Sequence, residues 1–223
     1  MAAGVGKRMR PLTDTMPKPM IPVLGKPLLE YTFAALPDEI DEVILVIRYR
    51  GDQIKAYFGD NFLGRKITYA EGSELGTAYS FLSAKKYLDK EKRFLFIYGD
   101  ECPNPEDVKK CLEYNSSILC WEVEDPWNHG VVNFDSDNTI IKIVEKPKNP
   151  ESNIIAGGVM VLTPTIFAYE PSLGAKAEFN FTDMIAQYLK KEVVKAVVSD
   201  EAIGGISTIA DIKRVEEHLR RNI

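Results

Sequence analysis

Residues 43–59 read VILVIRYRGDQIKAYFG, and the fold class turns on how this stretch is read. Residues 43–47 are an unbroken aliphatic run, which predicts a short buried strand. Residues 51–59 read as a short helix. Moving outward, the same alternation continues. Residues 66–69 predict a second strand. Residues 77–88 carry Phe81, Leu82, Ala84 and Leu88 at roughly helical spacing. Residues 93–98 are apolar again and end in Gly99-Asp100. Residues 105–114 predict a helix and 117–123 a strand. Alternation of this kind predicts βα units joined by crossovers, and so a mostly parallel sheet.

The middle of the chain changes character. Residues 130–134 and 140–144 flank the polar run Asp135-Ser136-Asp137-Asn138-Thr139, which predicts a β-hairpin. Residues 154–162 predict another strand, interrupted by Gly157-Gly158. Residues 181–191 predict a helix and 193–198 a strand. Thr208 followed by Asp211 forms a variant capping signal, and Ile209, Ile212, Val215 and Leu219 mark an amphipathic last helix. No internal repeat, linker or low-complexity segment interrupts residues 1–223. One α/β domain with a hairpin insertion is expected.

Bulk properties narrow the function classes. A length of 223 residues suits one sizeable core and is short for two enzyme domains. The formal net charge of −5 argues against a nonspecific nucleic-acid binder. No apolar run approaches a membrane span, and the first residues lack the apolar core of a secretory signal. Cys102, Cys111 and Cys120 form no CxxC pair, and only two histidines, His129 and His218, are present. Neither a zinc site nor a disulfide framework fits this pattern. The expected location is the reducing cytoplasm.

The chain opens with Gly4-x-Gly6-x-Arg8. Glycines at this spacing let backbone N–H groups approach phosphate oxygens, and an arginine adds a fork of donors. The GK[ST] ending of a Walker loop is missing, and so is the GxGxxG dinucleotide pattern. Taken alone, Gly4-x-Gly6 is equally an ordinary turn.

The longer run from Ala2 to Glu30, AAGVGKRMRPLTDTMPKPMIPVLGKPLLE, resembles the signature of sugar-1-phosphate nucleotidyltransferases, the pyrophosphorylases that make nucleotide sugars. Further segments resemble the same family: Leu75-Gly76-Thr77-Ala78, Gly99-Asp100, Asp125 with Pro126 through Gly130-Val131-Val132, Val144-Glu145-Lys146-Pro147, Glu178 through Asp183, and Ile206 through Glu217. The pattern lies nearest to mannose-1-phosphate guanylyltransferase-like and glucose-1-phosphate thymidylyltransferase-like members. The resemblance implies a three-layer, Rossmann-like nucleotidyltransferase fold. It also implies transfer of a nucleotidyl group from a nucleoside triphosphate (GTP, dTTP or UTP) to a sugar phosphate, with Mg²⁺ as cofactor and with homo-oligomerisation left open.

Residue roles follow from the resemblance. Ala3, Gly4, Gly6 and Arg8 would cradle the triphosphate. Lys18, between Pro17 and Pro19, would sit near the α-phosphate. Gly76, Thr77 and Glu71 would also lie on the nucleotide. Gly130, Glu145, Lys146 and Gly158 would hold the sugar phosphate, and Asp100 would bind Mg²⁺. Arg8, Lys18 and Asp100 are the expected catalytic residues. Many thymidylyl- and uridylyltransferases carry Gln where Glu71 stands. A carboxylate only accepts hydrogen bonds, which suits the two adjacent donors of guanine, although an exposed Glu71 facing solvent is equally open.

Two departures from the family stand out. Members usually carry about five apolar residues before the AAG segment as a first core strand, and here only Met1 precedes Ala2, so a shortened first strand is expected. The family often places a second carboxylate in a WxDxGT segment, and the matching position here is Gly205. Asp200, Glu201 or Glu101 could fill that gap. Alternatives are a nucleotide-sugar-binding regulatory paralogue with little or no turnover, and a cytidylyltransferase acting on a non-sugar phosphate.

Overall fold

The computed structural model describes residues 1–173 and 178–221. The opening stretch forms strand β1 (Glu42–Ile47) and helix α2 (Gly51–Phe58), and β1 pairs in parallel with β2 (Arg65–Glu71). Parallel neighbours need a crossover, and α2 supplies it. Its buried Ile54 and Phe58 pack toward helix α1 (Leu28–Ala34), where Phe33 stacks on Phe58 at 5.1 Å. Phe62 meets both rings edge-on, so this small sheet has its own aromatic core.

A larger sheet contains β3 (Phe94–Ile97), β4 (Ser117–Glu122), β5 (Gly130–Phe134), β6 (Ile140–Glu145), β7 (Ile154–Leu162) and β8 (Lys195–Val198). Its order is β8-β4-β7-β5-β6, with β3 also on β7. Strand β7 runs antiparallel to β3, β4 and β5, and β5 to β6, while β8 is parallel to β4. The expectation of a mostly parallel, Rossmann-like sheet is therefore overturned. The sheets are mixed, open and largely antiparallel. The cause is the placement of β7. Strands β3 and β4 do not pair with each other; β7 returns between them, with Met160 opposite Phe96 on one side and Ile118 on the other. Between Ala156 and Met160 its register with β4 shifts, which places Gly157 and Gly158 in a bulge.

The helical stretch expected at 77–88 divides. Helix α3 (Thr77–Leu82) ends early, and a 3-10 turn covers Lys85–Tyr87. Phe81 belongs to the core of the large sheet, where it packs on Phe167 and on Phe181 of helix α5 (Phe181–Tyr188). Ala84 and Leu88 pack instead with Ala3, Val46 and Ala70 on the other sheet. One straight helix cannot serve both. Helix α4 (Pro105–Leu112) is capped by Asn104, whose side chain accepts from Glu106 N at 2.9 Å.

The last helix, α6 (Ile209–Arg221), is anchored by Asp211. Its carboxylate accepts from Ser207 N at 2.8 Å, Thr208 N at 2.7 Å and the Thr208 hydroxyl at 3.0 Å. Partial burial opposes the charged form. The two amides, the hydroxyl and Arg214 together outweigh it and hold the carboxyl below its usual range. Asp211→Ala should cost about 1 kcal/mol of stability by loss of this cap. Because the folded-state pKa is depressed, the contribution is present above the unfolded value of 3.8 and is lost as pH falls through the lower folded value. Thermal melts of both proteins should show a gap at neutral pH that closes on strong acidification.

The two sheets face each other along β1 and β3. Among the described residues no ladder joins these edges. Met1 and Ala2 bridge them: Ala2 N donates to Val46 O at 2.7 Å, the Met1 amino group to Ile97 O at 2.7 Å, and Gly99 N to Met1 O at 2.6 Å. An adjoining groove of about 480 Å³ is lined by apolar side chains including Phe33, Ile44, Phe81 and Phe96. All three cysteines are buried and free; burial pushes the Cys102 and Cys111 thiols up to about 12 and Cys120 higher still, so they act as small apolar fillers. No helix among the described residues is long and apolar enough to cross a membrane.

Candidate active site

The glycine-rich start forms a tight loop. Gly6 has φ of 68° and leads into the 3-10 turn Lys7–Met9. A Cβ there would stand 3.0 Å from Thr13 Cγ2 and 3.1 Å from Lys18 Cβ, so glycine lets the loop lie on the Lys18 stem. Thr13 Oγ1 donates to Gly6 O at 2.9 Å and closes the loop. Nothing lies within 4 Å of the Cβ position at Gly4, which leaves its backbone approachable. Ala3 is buried behind it. Arg8 is exposed, with Nη2 3.4 Å from the Ser207 hydroxyl.

Lys18 starts a 3-10 turn after Pro17, and its ammonium forms an ion pair with the Asp100 carboxylate. The Lys18 side chain is largely buried. Asp100 follows the end of β3 through Gly99, where a Cβ would come within 2.9 Å of Met1 O. The Asp100 carbonyl accepts from Ile206 N at 3.0 Å. That contact brings Gly205 alongside, its Cβ position 3.0 Å from the same carbonyl. Residue 205 thus lies beside the backbone of Asp100 and brings no carboxylate there. Glu201 is exposed and accepts from Asn104 Nδ2 at 3.2 Å. Asp200 is exposed as well.

Next to this pair lies a cavity of about 220 Å³. Gly130, Glu145, Lys146 and Gly158 line it, as do Glu101 and Thr182. Glu145 ends β6 opposite Gly130, and Lys146 Nζ sits 3.4 Å from its carboxylate. Lys146 adopts φ of 47°, an unfavourable conformation for a lysine, with its N–H on His129 O at 2.9 Å. Glu101 reaches the same cavity from the β3 end, and its carboxyl accepts from Gly158 N–H. Burial, and then the neighbouring Asp100 charge, push the Glu101 carboxyl up to about 8.

The remaining expected nucleotide residues lie nearer the loop. Glu71 ends β2, exposed, and Gly72 beside it packs on Ala3, 2.5 Å from Cβ position to Cβ. Gly76 has φ of 133° and ψ of −178°, and its Cβ position overlaps Phe179 O. Thr77 Oγ1 accepts from Phe181 N at 2.9 Å, so this turn fastens residues 179–181, and through them Thr182, beside the cavity. Sequence reasoning did not place Gly72 beside the loop or Thr182 in the cavity wall, and it offered Glu101 only as a possible second carboxylate near Asp100. Gly72 carries no side-chain signal. The contacts of Glu101 depend on the bulge in β7.

The profile of the nucleotidyl transferase family matches residues 1–216. The chain is 38% identical over 200 residues to the bifunctional protein GlmU of Methanocaldococcus jannaschii, covering 88% of this chain and 48% of that protein. It is 31% identical over 206 residues to the D-glycero-alpha-D-manno-heptose 1-phosphate guanylyltransferase of Campylobacter jejuni, covering 90% of each. The crystal structure of a putative glucose-1-phosphate thymidylyltransferase from Bacillus anthracis superimposes with a TM-score of 0.79 at 25% identity, covering 100% of this chain and 94% of that one. The chain spans about half the length of the GlmU proteins it matches. Its glycine-rich loop, the Lys18–Asp100 pair and the adjoining cavity are thus set in a chain that belongs to the nucleotidyl transferase family.

Proposed function

We propose that the chain transfers a nucleotidyl group from a nucleoside triphosphate to a sugar 1-phosphate. A phosphate oxygen of the sugar phosphate attacks the α-phosphorus, the bond to the β-phosphate oxygen breaks, and pyrophosphate leaves. The attacking phosphate is already nucleophilic near neutral pH. The protein's task is to align two anions and offset their charge. One observation carries the reading: the Lys18–Asp100 pair sits under an open glycine loop, and the next residue along, Glu101, faces a second cavity holding Lys146 and Glu145.

Within this reading Gly4 and Gly6 expose backbone to the triphosphate, and Arg8 and Lys18 meet its charge. Lys146 takes the sugar phosphate and Glu145 a ring hydroxyl. Asp100 offers hard oxygen ligands, and among the described residues no group of three or more His, Cys, Asp or Glu side chains could hold a metal by itself. A Mg²⁺ ion there would be held by Asp100 together with phosphate oxygens and water. Such an ion, when bound, offsets negative charge at the phosphates.

Pyrophosphate release, measured for each nucleoside triphosphate against a panel of sugar phosphates with Mg²⁺, tests the reaction. Release with none of them refutes it. Gly205 favours a second reading, a regulatory paralogue, which would bind nucleotide sugar without turnover. For the base, Glu71 at the open end of β2 suits guanine. Glu71→Gln should shift kcat/KM from GTP toward UTP or dTTP by roughly tenfold, the value of one exchanged hydrogen bond. An unaltered GTP-to-UTP ratio would place Glu71 in solvent.

A further inference from the structure

Between Gly4 and Ile21 the chain crosses three 3-10 turns, Lys7–Met9, Leu12–Asp14 and Lys18–Met20. The backbone bonds of these turns run from one residue to the third before it, so they do not tie one turn to the next. Side chains supply the ties. Buried Thr13 donates from Oγ1 to Gly6 O, and the residues that follow β1 hold the carbonyls beside it. Tyr49 OH donates to Thr13 O at 2.7 Å, Arg50 Nη2 to Asp14 O at 2.5 Å and Gln53 Nε2 to Thr15 O at 3.0 Å. Three consecutive carbonyls are thus gripped by one short segment at the start of α2. The Tyr49 hydroxyl also accepts from Arg50 Nε at 3.2 Å, and a hydroxyl polarised in this way donates more strongly. Arg50 itself has φ of 51° and ψ of 34°, a left-handed backbone that an arginine keeps only where its surroundings fix it. The reaction as described uses none of these three side chains.

We propose that Tyr49, supported by Arg50 and Gln53, is a positioning residue for the triphosphate loop. It acts through Thr13. The phenol fixes the Thr13 carbonyl, the Thr13 hydroxyl fixes the Gly6 carbonyl, and Thr13 Cγ2 stands 3.0 Å from the Cβ position of Gly6. Gly6 lies in turn on the Lys18 stem. One rigid ring beside the crossover helix of the small sheet thereby sets the glycine backbone and the lysine together, before a ligand arrives. Without that hold the triphosphate must order the loop as it binds, which weakens binding. The sugar-phosphate residues Gly130, Glu145 and Lys146 stand on the large sheet and should not feel the change. This inference rests on the triphosphate reading of the glycine loop.

In the test, GTP, UTP, dTTP, CTP and ATP are each titrated calorimetrically with Mg²⁺, and the tightest binder is carried forward. Trypsin acts on the free protein, where cuts at the exposed Lys7 and Arg8 report opening of the loop. Tyr49→Phe keeps the ring and removes the hydroxyl. It should weaken the triphosphate Kd by roughly three- to tenfold and speed both cuts by a similar factor, the value of one hydrogen bond. Where there is turnover, KM for the triphosphate should rise and KM for the sugar phosphate should not. Thr13→Val removes the next link and should match Tyr49→Phe. The double variant should lose little more than either alone, because the two links act in series. Thr13→Ser keeps the hydroxyl and should stay close to the wild type. Tyr69→Phe is the control: it deletes a like bond, to Gly59 O at 2.6 Å, at the other end of α2. It should lower Tm comparably and leave the triphosphate Kd and the cleavage rate unchanged. Should Tyr49→Phe fail to fold, Gln53→Ala, which frees Thr15 O alone, gives the same comparison with a smaller effect. The proposal is overturned if folded Tyr49→Phe binds triphosphate and resists trypsin as the wild type does, if Tyr69→Phe weakens binding equally, or if the Tyr49 and Thr13 losses add in full. An absence of turnover with intact triphosphate binding sinks the reaction but still decides Tyr49 through Kd. If no triphosphate binds, the reading of the glycine loop fails and this inference with it.

Discussion

Lys18→Ala is expected to lower kcat/KM for pyrophosphate release by roughly a hundred- to a thousandfold, the usual effect of removing one donor aimed at developing charge. The ammonium pairs with Asp100, and its stem passes Gly6 where a Cβ would stand 3.1 Å from Lys18 Cβ. Its contact with phosphate should strengthen as charge builds on the α-phosphate, so kcat should carry most of the loss. Stability should change little. Asp100 loses its partner, but its side chain is 34% exposed and water can replace the ammonium. Lys18→Arg should rescue poorly, because a planar guanidinium cannot follow the same narrow path past Gly6. Steady-state kinetics beside thermal melts check this. An unchanged kcat/KM in a folded Lys18→Ala protein would remove Lys18 from the reaction.

Gly76→Ala is expected to be the most destabilising single methyl in the chain's motifs. The residue combines φ of 133° with ψ of −178°, a region open essentially to glycine alone. Its Cβ would also overlap Phe179 O and stand 2.8 Å from Phe179 N, both backbone atoms that cannot rotate away. Residue 179 is held in turn by bonds to Leu75 O and from Ala78 N, both at 3.0 Å. The added methyl must therefore break a backbone exchange as well as strain a dihedral. A loss of roughly 3 kcal/mol or more is expected. Denaturant unfolding measures it. Thr77→Ala is the comparison: it removes the acceptor for Phe181 N without touching the turn, and should cost about 1 kcal/mol. If Gly76→Ala proves milder than Thr77→Ala, the turn is not locked as described.

Elements were legible in the sequence where local chemistry fixes them. Residues 43–47 became β1 because an aliphatic run followed by a crossover helix has few other uses. The direction of pairing in the large sheet was not legible. Strand β7 is buried along almost its whole length, and a nearly all-apolar strand reads the same beside parallel or antiparallel neighbours. Its position between β3 and β4 depends on contacts between residues far apart in sequence. Asp100 and Gly205 lie side by side in the fold, the Asp100 carbonyl accepting from Ile206 N, and both stand in short loops whose glycines are visible in the sequence. The orientation of Glu101 was hidden. It depends on glycines more than fifty residues away, and a missing side chain leaves no mark in the pattern of a sequence.

The Met1–Ala2 bridge bears on how the molecule breathes. Among the described residues each sheet is cross-linked by its own strand pairing, while the edges facing each other share a few main-chain bonds through Met1 and Ala2 beside an apolar groove. In native-state hydrogen exchange such a seam is expected to open at a lower free energy than either sheet unfolds. The glycine loop leaves directly from that seam and Asp100 sits at its other lip. The amides of Ala2 and Gly99 would therefore report on the same fluctuation that widens the space between the nucleotide loop and the acidic turn.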